Sequence, residues 1–255
     1  MPFAENDGVA LYYEAAGSGP TVAFLNEVGY GAWLWGWQHA ALAGPFEALV
    51  LDPRGTGRSD APPGPYAVET LADDLDAVLR EHGARRAHLV GAGLGAMVAL
   101  DYARRYGRAG SLVLLGTALD GGSVDAEALD AMGGRGPESL SPCLSPDFVE
   151  RQREVVEGIR SWRETDDAGP DARAAQAAAM RAFECDAPYE VTIPALVLHG
   201  ADDPVVPPAA GLTLAEALPR GRFETLPGRH LAFVEASRPA NDAVVGFLES
   251  LERPR

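Results

Sequence analysis

Gly91-Ala92-Gly93-Leu94-Gly95 joins a short apolar run, Ala87-His88-Leu89-Val90, to a helix-like segment from Gly95 to Ala103. Glycines at alternate positions allow a turn too tight for side chains. The residue that such a turn presents, Gly93, has no group with which to attack a carbonyl. The alternate spacing also differs from the Gly-x-Gly-x-x-Gly of a dinucleotide site. The five histidines are scattered, with no His-Glu-x-x-His, and Cys143 and Cys185 lie far apart without metal-ligand spacing. No nucleotide, flavin or metal motif is present, so neither a cofactor nor a metal is expected. In a cytosolic chain the two cysteines read as free thiols. The turn also opens a helix, whose N-terminus suits a bound anion.

The elements around this turn alternate between short apolar runs and longer amphipathic stretches, as an α/β protein requires. Val9 to Ala15, Val22 to Leu25, Glu47 to Leu51, Ser111 to Leu115, Ile193 to His199 and Arg222 to Leu226 read as strands. The runs Val22 to Leu25 and Glu47 to Leu51 are the continuous apolar ones, and they suit a mostly parallel sheet flanked by helices. Val68 to His82 has Leu71, Leu75, Val78 and Leu79 at helical spacing, and a closing helix runs from about Pro239 to Leu251. Between Gly116 and Val191 glycine pairs interrupt the pattern, and Phe148 to Thr165 and Asp171 to Glu184 read as helices. Residues 118–191 are therefore expected to form a helical cap inserted into one core domain, 1–117 with 192–255.

The chain has 255 residues and a formal net charge of −16, and its 21 basic residues are all arginine. That surface repels nucleic acid and anionic lipid, which excludes both as partners. It suits a protein in a salt-rich cytoplasm, where the Debye length shrinks to about 3 Å at 1 M, and equally a merely acidic one. No apolar run approaches the roughly 20 residues of a membrane span, and Met1 to Asp7 lacks a secretory pattern. A cytoplasmic location is expected, with a small, partly apolar molecule as the partner and the oligomeric state left open.

Four landmarks in order resemble the α/β-hydrolase superfamily, in its esterase and enol-lactonase-like branch. Asp52-Pro53-Arg54-Gly55-Thr56-Gly57-Arg58-Ser59 is similar to its Asp-x-Arg-Gly-x-Gly-x-Ser turn, where Asp52 and Arg54 read as scaffold. The glycine-rich turn resembles the nucleophile elbow Gly-x-Ser-x-Gly, with Gly93 leaving the nucleophile position vacant. His199-Gly200-Ala201-Asp202-Asp203-Pro204 matches the setting of the catalytic acid, and spacing picks Asp203 over Asp202. Pro227-Gly228-Arg229-His230 matches the setting of the catalytic histidine, His230. The resemblance implies an oxyanion hole from the N–H groups of Val28 and Leu94.

The first oxyanion loop departs from the family's His-Gly and reads Asn26-Glu27-Val28-Gly29. Three placements of Glu27 stay open: turned away into an arginine salt bridge, holding His230 as a cation, or serving as a second acid/base group. Asn26, Glu27, Trp33, Ala92 and Trp162 are candidate pocket residues. Tyr30, Trp35 and Trp37, with Met132, Phe148 and Phe183 of the cap, read first as packing.

Without the serine, three chemistries compete. In the leading one His230, oriented by Asp203, activates a water lodged at Gly93 to hydrolyse a small activated ester or lactone. In the second, His230 is the base of a cofactor-free lyase, isomerase or oxygenase, and a cleft-facing Glu27 beside it is the distinguishing feature. In the third, the protein binds a ligand without catalysis.

Overall fold

The computed structural model describes residues 2–252. The chain opens with a hairpin of β1 (Phe3–Asn6) and β2 (Val9–Gly17), turned at Asp7 and Gly8. Both turn residues have positive φ, 49° and 78°, the backbone that a two-residue hairpin loop demands. Next come β3 (Thr21–Leu25), α1 (Gly36–Leu42), β4 (Glu47–Leu51), α2 (Val68–His82), β5 (Ala87–Ala92), α3 (Leu94–Arg105) and β6 (Ala109–Leu115). Four helices follow: α4 (Ala126–Met132), α5 (Pro146–Arg151), α6 (Arg153–Asp166) and α7 (Pro170–Ala182). The chain then returns through β7 (Ala195–Gly200), α8 (Pro208–Ala217), β8 (Gly221–Leu226), α9 (Ala232–Glu235) and α10 (Ser237–Glu252).

The eight strands form one sheet in the order β1-β2-β4-β3-β5-β6-β7-β8, parallel from β4 to β8 and antiparallel at β1 and β2. Strands β3, β5, β6 and β7 are buried along their whole length. That is why they are apolar at nearly every position rather than alternating, with Thr21, His88, Ser111 and His199 the polar residues among them. Helices α2 and α3 pack together, as do α1 and α10, and α8 covers β7 and β8.

Strand β3 lies between β4 and β5, so the strand order reverses there, and such switch points open a crevice at the carboxyl ends of the strands. Leu25 is in register with Gly91. The residues that follow, Asn26-Glu27 and Ala92-Gly93, are thereby neighbours although distant in sequence. Close approach is enforced by two glycines. A Cβ on Gly95 would come within 2.1 Å of Leu25 O, and one on Gly91 within 2.4 Å of Gly95 O.

The family-like turn after β4 is scaffold. Arg54 pairs bidentately with buried Asp74, Nε to Oδ2 at 2.6 Å and Nη2 to Oδ1 at 2.5 Å. Asp52 accepts the Arg58 N–H at 3.0 Å.

Helices α4 to α7 lie between β6 and β7, and the stretch expected as one helix over Phe148 to Thr165 is two. Gln152, at φ −115° and ψ 46°, leaves the helical backbone and separates α5 from α6. This insertion is tied to the loops at the strand ends. Gln176 Oε1 accepts the Gly29 N–H at 2.7 Å and its Nε2 donates to Arg54 O at 2.9 Å. Asp167 Oδ1 accepts from Trp33 Nε1 at 2.7 Å, and the Leu231 N–H donates to Cys143 O at 2.9 Å. Inside it, buried Arg163 donates to Met132 O and Ser139 Oγ, pairs with Asp167 at 3.0 Å, and lies over the Tyr30 ring. Cys143 and Cys185 are free thiols. Burial pushes Cys143 up to about 12, so it stays a neutral thiol. Among the described residues no helix is long and apolar enough to cross a membrane.

Candidate active site

Asn26 anchors the loop that leaves β3: its Oδ1 accepts from Trp35 Nε1 at 2.8 Å and its Nδ2 donates to Tyr30 O at 3.0 Å. The Tyr30 N–H closes a turn onto Glu27 O at 3.1 Å, with Gly29 at φ +75° in the left-handed position that such a turn needs. This turn leaves the Glu27 side chain inside the protein, fully buried.

On the neighbouring strand end, Gly93 has φ 47° and ψ −109°, its N–H held by Leu115 O at 2.9 Å and its carbonyl accepting from Thr117 Oγ1 at 3.1 Å. A Cβ at Gly93 would lie 1.5 Å from Glu27 Oε2 and 2.2 Å from its carboxyl carbon. The position expected to be vacant, and to hold a water, is therefore filled by the Glu27 carboxylate. Glycine at 93 is the condition for it. No residue with a Cβ, serine included, fits there while Glu27 stays in place.

Each carboxylate oxygen of Glu27 has defined partners. Oε1 accepts the N–H groups of Val28 at 2.5 Å and Leu94 at 3.3 Å, the two donors expected to form an oxyanion hole. Leu94 is the first residue of α3, where backbone donors and the helix dipole favour a negative group. Oε2 accepts from His230 Nε2 at 2.8 Å. Of the three placements open for Glu27 in the sequence, the arginine salt bridge is replaced by this histidine contact.

His230 follows β8 and is buried between two carboxylates. Its Nδ1 donates to Asp203 Oδ2 at 2.9 Å while Nε2 donates to Glu27. Asp203, in the loop after β7, is fixed through Oδ1 by the N–H groups of Val205 at 2.8 Å and Val206 at 3.1 Å. His199 Nε2 lies 3.2 Å from Asp203 Oδ2 and donates to Val206 O. Asp202 is exposed, so Asp203 is the aspartate brought to His230. Burial opposes the charge on His230, but the Asp203 carboxylate, and then Glu27, raise its pKa to about 10. Burial likewise opposes ionised Asp203, and His230 and His199 hold its carboxyl well below the usual range.

At neutral pH His230 is therefore an imidazolium with both N–H groups donating. It can give a proton at Nε2 but has no lone pair with which to take one, which bears on the expectation that it is the base. The electron pair in the nucleophile's place belongs to Glu27 Oε2.

The candidate pocket residues separate. Asn26, Glu27 and Ala92 are buried around the site. Trp33 and Trp162 instead line an outer groove with Trp37, and Trp162 is 44% exposed with its ring edge-on to Trp37. Sequence reasoning did not single out Gln176, Arg163 or the Cys143–Tyr30 contact of 3.1 Å, which support the loop from the insertion. Gln176 and Arg163 look like ordinary polar residues of surface helices, and only the packing shows them to be buried.

The model of the family described as serine aminopeptidase, S33, matches residues 40–236, a span that includes Gly93, Asp203 and His230 but not Glu27. The chain is 28% identical to 3-oxoadipate enol-lactonase 2 of Acinetobacter baylyi, over 94% of each chain. It is 31% identical to the putative carbamate hydrolase RutD of Variovorax paradoxus, covering 96% of this chain and 98% of that protein. The crystal structure of the enol-lactonase from Burkholderia xenovorans LB400 superimposes with a TM-score of 0.85 at 29% identity, covering 97% of this chain and all of that one.

Proposed function

From a chain that belongs to the serine aminopeptidase S33 family of α/β-hydrolases, we propose an enzyme that hydrolyses a small activated ester or lactone with Glu27, His230 and Asp203 in place of a serine triad. The observation that carries this reading is the Glu27 Oε2–His230 Nε2 contact of 2.8 Å at the side-chain-free elbow. A hydrolase needs an electron pair at the elbow, an acid for the leaving group and a group to orient that acid. Glu27 supplies the first, His230 the second and Asp203 the third. The ester or lactone class is supported by the relative named as an enol-lactonase, and the relative named as a putative carbamate hydrolase supports hydrolysis more broadly. Because Glu27 and His230 are buried, a substrate reaches Oε2 only when the insertion or the loop after β3 moves.

One observation favours a second reading. Glu27 beside His230 is the feature that proton-transfer chemistry on a carbon acid calls for, with the carboxylate as base and the imidazolium as acid. The two readings separate on turnover of p-nitrophenyl acetate in molar potassium chloride by the wild type and by His230→Ala. Hydrolysis above background that collapses in the variant supports the hydrolase. Equal, near-background rates would exclude it for such esters and favour proton transfer or ligand binding.

A further inference from the structure

The hole formed by Val28 and Leu94 serves the protein's own carboxylate. In an ordinary hydrolytic site such a pair of N–H groups receives the carbonyl oxygen of the substrate as it becomes negative. Here both already donate to Glu27 Oε1, while Oε2 points to His230 and into the space that the missing Gly93 side chain leaves. A water activated for direct attack would need that space, and the substrate oxygen would need those donors. Both are taken. A bond from Oε2 to the substrate, by contrast, leaves Oε1 where it is.

We infer that Glu27 is a covalent nucleophile, forming a mixed anhydride through Oε2 that water then cleaves at the Glu27 carboxyl carbon with Oε1 as the oxyanion. The inference rests on the hydrolase reading above. In the first step Oε2 bonds to the acyl carbon, the acyl–oxygen bond of the ester breaks, and the leaving oxygen takes the Nε2 proton of His230. Glu27 is then a neutral acyl group, and His230, beside Asp203 alone, has a free lone pair at Nε2. In the second step His230 takes a proton from water as the hydroxide bonds to Cδ. The charge collects on Oε1 beneath the Val28 and Leu94 N–H groups. Collapse breaks the Cδ–Oε2 bond, and the carboxylate product departs carrying Oε2. The new carboxyl of Glu27 releases its proton to solvent, and the resting ion pair with protonated His230 is restored.

This scheme defines the substrate class further. The Val28 and Leu94 N–H groups stay on Glu27 Oε1 in the first step instead of receiving the substrate's carbonyl oxygen, so the ester must bring a good leaving group, an enolate or an aryloxide. Simple alkyl esters are poor substrates for it.

The test is a single turnover of p-nitrophenyl acetate in water enriched in heavy oxygen, with enzyme in excess, followed by mass analysis of the acetate and of the peptide containing Glu27. The expected result is unlabelled acetate and one heavy oxygen in the Glu27 carboxyl, with no label in the same peptide of Glu27→Gln. Labelled acetate with an unlabelled Glu27 peptide, at an enzymic rate, would overturn the covalent step and leave the hydrolase reading standing. Failure to release p-nitrophenol above background would remove both.

Discussion

Placing any side chain on Gly93 forces Glu27 out of its three hydrogen bonds, and the cost of doing so can be divided by a double-mutant cycle. Gly93→Ala puts a Cβ where Oε2 now lies, at a backbone of φ 47° and ψ −109°. Such a conformation costs a non-glycine residue about 1–3 kcal/mol. Breaking the buried Glu27–His230 pair adds about 3–5 kcal/mol, since it leaves charge uncompensated in the interior. The single variant is expected to lose about 4–8 kcal/mol. Glu27→Ala alone loses the same pair and is expected to cost about 3–5 kcal/mol. In that background Gly93→Ala has nothing left to collide with, so only the strain of about 1–3 kcal/mol remains. The double variant therefore costs about 4–8 kcal/mol rather than the sum of the singles, a coupling of about 3–5 kcal/mol. Urea unfolding of the four proteins, followed by circular dichroism, measures it. Additivity to within about 0.5 kcal/mol would refute the claim that Glu27 occupies the elbow.

Three further outcomes follow from the same structure. His230 is expected to make stability fall at alkaline pH. Its folded pKa of about 10 exceeds the unfolded value near 6.5, so its contribution is whole below about 6.5 and lost as pH rises through about 10. A melting-temperature series over that window should slope downward in the wild type and flatten in His230→Gln. Asp74→Ala, which strands the buried Arg54 guanidinium, should cost about 3–5 kcal/mol in urea unfolding. Arg151→Ala breaks a single, exposed contact of 3.1 Å with Asp147 and should stay within about 0.5 kcal/mol.

Much of the fold is legible in the apolar runs, because a strand covered on both faces must be apolar at every position, as Thr21–Leu25 and Ala195–Gly200 nearly are. The opening strand Phe3–Asn6 and the helix Pro208–Ala217 were not among the expected elements. The first is too short to show alternation, and the second is an alanine-rich segment led by prolines, with no strong polar face. The break at Gln152 has no glycine or proline to announce it. The aspartate and histidine positions are readable from local context, since each sits in a loop directly after a strand. Glu27 is different, because its partner is set by the sheet order. Only the pairing of β3 with β5 brings it to Gly93. The available signal was the two departures taken together: a carboxylate where the oxyanion loop has none, and no side chain where the elbow has one. One makes room for the other.

The central claim is that Glu27 has taken over the serine's work. It is tested most directly by the kcat of Glu27→Gln on p-nitrophenyl acetate, beside the wild type, with equal folding checked by circular dichroism. Glutamine keeps the shape and can still accept the Val28 and Leu94 N–H groups, but it removes the charge and the nucleophilic oxygen. The expected result is a loss of at least about 100-fold, the lower range for removing a positioned catalytic group. A rate within about twofold of wild type, far inside that range, would contradict the account and return Glu27 to a structural role.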